Sequence, residues 1–129
     1  MTTSVLRAAR VGDRLPRRLL APATTRAIEA AAVLVPGPQR PRAYLDRLRD
    51  GEQDFAAWDG RLVVTGPDGT PVHRLLVVDR YNQVSAVHDE ADADELPNVA
   101  TLNAWFRFLA TACPECGVID DPLLGGPTP

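Results

Sequence analysis

Lysine is absent: all 14 basic residues of the 129-residue chain are arginine, a bias that fits GC-rich coding and carries no mechanistic weight. Thiols are confined to Cys113 and Cys116, so any sulfur chemistry rests on that pair. Aromatic residues make up only 5% and form no basic stripe with interleaved arginines, and the net charge is −3, which together argue against a nucleic-acid partner. No apolar run approaches the roughly 20 residues needed to cross a bilayer, so no membrane partner is expected. The longest early run, Ala30 to Val35, is too short and too far into the chain for a signal peptide, and Glu29 precedes it; the expectation is a soluble, cytoplasmic protein. Catalytic signatures are missing too. There is no P-loop, GxGxxG or HExxH, and His73, His88, Asp79 and Ser85 do not have the spacing of a nucleophile-elbow triad.

What is present reads as one domain over residues 1–121 with a loose tail at 122–129, where three prolines and two glycines gather. An apolar fraction of 45% beside 24% charged residues is ordinary for a globular chain of this length. The charge is unevenly spread. Through Arg49 ten arginines stand against Asp13, Glu29 and Asp46, near +7, and the remainder is near −10. Complementary halves packing in one domain account for that better than a basic arm.

Thr3 to Arg10 can form a short helix, broken by Gly12, Asp13 and Pro16. Thr24 or Thr25 could cap the following run, whose alanines favour helix while Val33, Leu34 and Val35 favour strand; its end reads as a strand. Pro41 then suits the first position of a helix with Tyr44, Leu45 and Leu48 on one face, closed at Gly51. A further helical turn or two spans Glu52 to Trp58. Arg61 to Thr65 is a short β-branched strand, and Gly66 to Gly69 a turn. Val72 to Asp79, with the unbroken run Leu75 to Val78, predicts a strand buried on both faces in mid-sheet. After Tyr81 and Asn82 turn the chain, Gln83 to His88 alternates as an outer strand should, Val84 and Ala86 to one side, Ser85 and Val87 to the other. The acidic stretch Asp89 to Glu95 reads as a solvated loop. It leads into the clearest element, a helix to about Ala112 with Val99, Leu102, Trp105, Phe106 and Leu109 on its core face. Trp58 and Phe108 belong with core or interface, not with a cofactor box.

Strand, helix, strand, strand, strand, helix is the βαβ plus ββα order, and several local features go with it. Val11-Gly-Asp-Arg-Leu-Pro16 resembles the opening motif of redoxin and peroxiredoxin domains. Thr70-Pro71 before the central strand resembles their threonine and cis-proline pair, and Leu75 to Val87 is similar to their closing hairpin. Over nearly the whole chain, then, the sequence resembles the thioredoxin-like superfamily, in a redoxin-like branch. The resemblance implies an α/β fold with a mixed central sheet and flanking helices, and a cis bond at Thr70-Pro71. Two departures accompany it. The loop Pro36-Gly-Pro-Gln-Arg-Pro41, where the family keeps its attacking cysteine at a helix N-terminus, has no thiol, and Gln39 and Arg40 cannot act as nucleophiles. Only about six residues join the Arg61 strand to the Val72 strand, which leaves no room for the helix usually inserted there; this is a trimmed version of the fold.

Cys113-Pro-Glu-Cys116-Gly117 admits three readings. As half of a zinc knuckle it would hold a metal ion through both thiolates, at about 2.3 Å from the zinc, with Gly117 allowing the tight turn. His73 and His88 cannot complete that site, because both are expected at the pole opposite the last helix's end; a second chain's knuckle or Asp120 and Asp121 would have to. As a dithiol couple the pair would be catalytic, Cys113 attacking and Cys116 resolving, although a helix C-terminus raises thiol pKa. As two reduced cysteines in a packed turn it would do neither. The leading expectation is a binding or regulatory module with a protein partner or a second copy; the alternative is a thiol-disulfide oxidoreductase.

Overall fold

The computed structural model describes residues 2–16, 19 and 30–111, as an α/β arrangement of four helices and one four-stranded mixed sheet. Helix α1 is Thr2–Ala8, strand β1 is Ala30–Val35, and α2 is Arg42–Asp50, followed by the short α3, Glu52–Ala56. Strands β2 (Gly60–Val64), β3 (His73–Val78) and β4 (Val84–Glu90) come next, then a single 3-10 turn at Ala93–Glu95 and helix α4, Val99–Thr111. Among these residues no helix is long and apolar enough to cross a membrane.

The sheet runs β2-β1-β3-β4, with β1 parallel to β2 and antiparallel to β3, and β3 antiparallel to β4. The ambiguous run of alanines resolves as strand: Ala30 pairs with β2, Ala31 and Ala32 pair on both sides, and every residue of β1 is buried. Small side chains there leave room for the large residues laid against both faces, so packing overrides their helix propensity. Strand β3 lies between β1 and β4 and is buried along nearly its whole length, as its continuous apolar run requires.

On one face Ala32, Leu34, Leu75, Val77 and Ala86 meet Leu45 and Leu48 of α2, Phe55 of α3 and Leu102, Trp105, Phe106 and Leu109 of α4. Phe55 and Phe106 pack edge to face with centroids 5.0 Å apart. The other face, Val33, Val35, Leu76, Val78 and Val84, is covered by Leu6 of α1 and by Ala9 and Leu15 after it. With no helix between β2 and β3, the N-terminal segment takes over that cover. Gly12 and Leu15 donate to Val84 O and Asn82 O, which anchors this segment at the start of β4.

One expectation needs correction and two need refining. A bulge at Val77/Val78 pairs Val78 with Val84 but Val77 with Ala86. The extra residue, Ser85, reverses the alternation, so Val84 packs under α1 while Ala86 faces α4. Gly51 does close α2, yet at φ −88° and not in a left-handed cap; a Cβ there would stand 2.6 Å from Val99 Cγ1, and close helix approach is what requires glycine. The acidic stretch is solvated as expected but is not all loop: β4 continues to Glu90, and Asp89 and Asp94 pair with Arg74 and Arg47 from their exposed positions.

Helix α4 begins where Asn98 Oδ1 accepts the Thr101 N–H at 2.8 Å, satisfying one of the first-turn donors. Asn98→Ala is expected to lower stability by about 1 kcal/mol, read from the urea midpoint at unchanged slope.

Candidate functional site

Because β1 lies between β2 and β3, the chain leaving β2 has to pass over the C-terminal end of β1 before it can enter β3. That crossing builds the pole of the sheet at which α2 begins. Thr65 N–H donates to Leu34 O, Asp68 N–H to Pro36 O and Gly69 N–H to Gly37 O, so residues 65–69 lie along residues 34–37. Gly37 is buried beneath the crossing, and a Cβ on it would collide with Val72 O and come within 2.7 Å of Thr70 O.

Arg7 clamps the crossing from α1. Its Nε and Nη2 donate to the two oxygens of Asp68 at 2.6 and 3.0 Å, and Nη2 also reaches Val72 O at 2.7 Å and Pro36 O at 3.3 Å. The Arg7 guanidinium, with help from the Thr70 hydroxyl and N–H, holds the Asp68 carboxyl well below the usual carboxylate range. A reciprocal contact comes from β3: Arg74 Nη1 donates to Leu6 O and Ala9 O at the end of α1, while its Nε and Nη2 pair with Asp89.

His73, 5% exposed, stands at the start of β3 with Nδ1 accepting the Gly37 N–H at 3.0 Å. That bond requires the neutral ring with its proton on Nε2. Burial, and then the Arg7 charge, lower the pKa of His73 below the ordinary imidazole value, and Asp92 opposes them.

Beside this knot a groove of about 500 Å³ opens between Gln39–Tyr44 and the turn residues Ala93 and Asp94. Arg40 and Arg42 line it and are exposed; Asp94 is held by Arg47 at 2.7 Å. Tyr44 forms part of the floor, its hydroxyl donating to Pro97 O at 2.7 Å, and burial pushes its phenol well above the ordinary tyrosine value.

Compared with protein-family models, curated proteins and solved structures, the chain matches none. What the pole can do is therefore read from its own chemistry. Among the described residues it offers a helix start, the exposed Arg40 and Arg42 and an open groove, with no thiol.

The residues singled out from sequence fare differently. Cys113 and Cys116 lie outside the described residues. Thr70 and Pro71 are at the expected pole, but no peptide bond among the described residues is cis, so Thr70-Pro71 is trans. Thr70 is pinned instead by Asp68, which accepts from both its N–H and its hydroxyl. His73 and His88 do share this pole, facing Glu90 and Leu75 in the ladder, while the last turn of α4 lies at the other end beside Ala30 and Trp58. They form no metal site, since among the described residues no three His, Cys, Asp or Glu side chains are grouped to hold an ion. Asp79 is absorbed in its turn, accepting the Tyr81 and Gln83 N–H groups. Arg7, Gly37 and Asp68 have no distinguishing sequence context; the one available hint was glycine held between Pro36 and Pro38.

Proposed function

We propose that this chain is a redoxin-like protein of trimmed thioredoxin-type topology that works as a binding or regulatory module. Its sheet order and strand directions, β2-β1-β3-β4 with only the first pair parallel, agree with a βαβ plus ββα plan. The trans Thr70-Pro71 bond does not agree, and leaves the descent resting on topology and sequence motifs.

The observation that carries the functional reading is the loop Pro36–Pro41. It stands at the start of α2, under the crossing and at the mouth of the groove, where a redoxin would need its nucleophile, and it contains no cysteine. Recognition is then the task of the groove, and Cys113 and Cys116 serve as a knuckle for zinc or for a second copy of the chain.

The test is to purify the full chain from a reducing lysate and measure bound zinc, free thiols, solution mass and peroxide consumption with a dithiol reductant. The expected result is two thiols per chain that stay reduced or metal-bound, and peroxide loss no faster than free cysteine gives. About half a zinc per chain in a dimer would identify a shared four-cysteine site. A cysteine pair that cycles between dithiol and disulfide, with saturable turnover abolished by Cys113→Ser, would overturn the binding module in favour of a thiol-disulfide oxidoreductase.

A further inference from the structure

We propose that His73 is a proton-operated latch: when its ring takes up a second proton it releases Gly37, and the segment Pro36–Pro41 loosens from the crossing while the sheet stays folded. The latch would operate whether or not the neighbouring groove binds a partner.

The case begins with the hydrogen bond. Gly37 N–H has a single acceptor, the Nδ1 lone pair of a ring that is 5% exposed. An imidazolium has two donors and no lone pair, so protonation turns this bond into a donor facing a donor. Gly37 cannot turn aside within the present packing, because its backbone is already pressed against Val72 O and Thr70 O. The new charge would also stand near the Arg7 guanidinium, which donates to Val72 O one residue before His73.

The charged groups around His73 are Arg7 from α1, with its partner Asp68 from the crossing; Glu90, opposite it on β4; and Asp92, just beyond that strand. Arg40 and Arg42, on the overlying loop and the start of α2, are exposed to solvent. Arg7 disfavours the imidazolium and Asp92 favours it, with burial the largest influence, so the latch is closed at neutral pH and opens on the acid side.

Opening is local because the two sets of contacts are separate. Loop 36–41 is held at the crossing by Gly37 N–H, by the carbonyls of Pro36 and Gly37, and by Arg7. The ladder from Ala31–Val35 to Arg74–Val78 meets these groups only at its end, where Arg7 Nη2 also reaches Val35 O at 3.4 Å, and the apolar packing on both faces involves none of them. Loosening the loop displaces Gln39, Arg40 and Pro41, and with them one wall of the groove.

The experiment follows the full chain by NMR from about pH 7 to about pH 4, reading the His73 ring signals, the Gly37 amide and the β1 and β3 amides together. The expected result is that His73 and the Gly37 amide titrate with one midpoint below 6.5, the ordinary imidazole value. From 6.5 down to that midpoint Gly37 protection, corrected for intrinsic exchange, should fall by up to about tenfold per pH unit and then level off, while the strands keep theirs. His73→Asn, whose carbonyl oxygen can accept the same N–H without titrating, should hold Gly37 protection constant over this range. The latch is overturned if Gly37 stays protected while His73 titrates, if it is lost only together with the β1 and β3 amides, or if His73→Asn loses it at the same pH. Should the variant not fold, the comparison of Gly37 with the strand amides in the natural chain still decides.

Discussion

Gly37→Ala is expected to cost roughly 3 kcal/mol, the upper end of what an extra methyl costs in a packed site, because the neighbours that would have to yield are backbone. The added Cβ would meet Val72 O and Thr70 O, whose positions are set by the Arg7 clamp and the 65–69 crossing. Separating the two loops breaks the Gly69 to Gly37 and Gly37 to His73 hydrogen bonds together. The measurement is the urea midpoint of the variant against the natural chain, with slope held as the check on two-state unfolding. A loss under about 0.5 kcal/mol would mean that the crossing can relax at little cost and is not the rigid base of the pole.

Asp68→Asn is expected to remove about 2 kcal/mol at neutral pH and to change how stability depends on acid. The carboxylate and Arg7 are 14% and 16% exposed, so the pair is only lightly screened, and the neutral amide leaves a largely buried guanidinium without its counter-charge. The folded-state pKa of Asp68 lies below its ordinary 3.8, so its contribution is complete above that value and is lost as pH falls through and beneath it. The natural chain should therefore lose stability steeply in that acid range, and Asp68→Asn should lose less there. His73 acts in a different window. Its folded pKa is also lowered, so its contribution is complete above 6.5 and declines as pH falls below it. Chemical denaturation at a series of pH values separates the two. An unchanged acid limb in Asp68→Asn would show that the ion pair is not what acid breaks.

Much of the architecture was legible because burial leaves a periodic trace. Leu102, Trp105, Phe106 and Leu109 recur at helical spacing and form the core face of α4. Leu75 to Val78 has no polar interruption because β3 has no solvent face. The uneven charge also found its counterpart: Arg7 with Asp68 and Arg47 with Asp94 join the basic first part of the chain to the acidic remainder. The candidate site was less legible. Gly66-Pro-Asp-Gly69 reads correctly as a turn, but nothing local says that its Asp68 will be gripped by an arginine 61 residues earlier. Sequence sets His73 aside both as a zinc ligand and as a triad member and offers no other role for it, whereas in the fold it accepts a backbone N–H from the neighbouring loop.

Hydrophobic period, turn chemistry and composition by themselves determined the order of the elements, the centre of the sheet and the absence of a thiol at the start of α2, because each depends only on residue type and spacing along the chain. Tertiary structure alone decided that Val84 turns under α1, that Gly51 is needed for helix approach and not for a cap, that Thr70-Pro71 is trans, and that Arg7, Asp68, Gly37 and His73 converge. The physical reason is the crossover. With β1 inserted between β2 and β3, residues far apart in sequence share one pole, and their hydrogen bonds and close contacts depend on distances that no local pattern encodes.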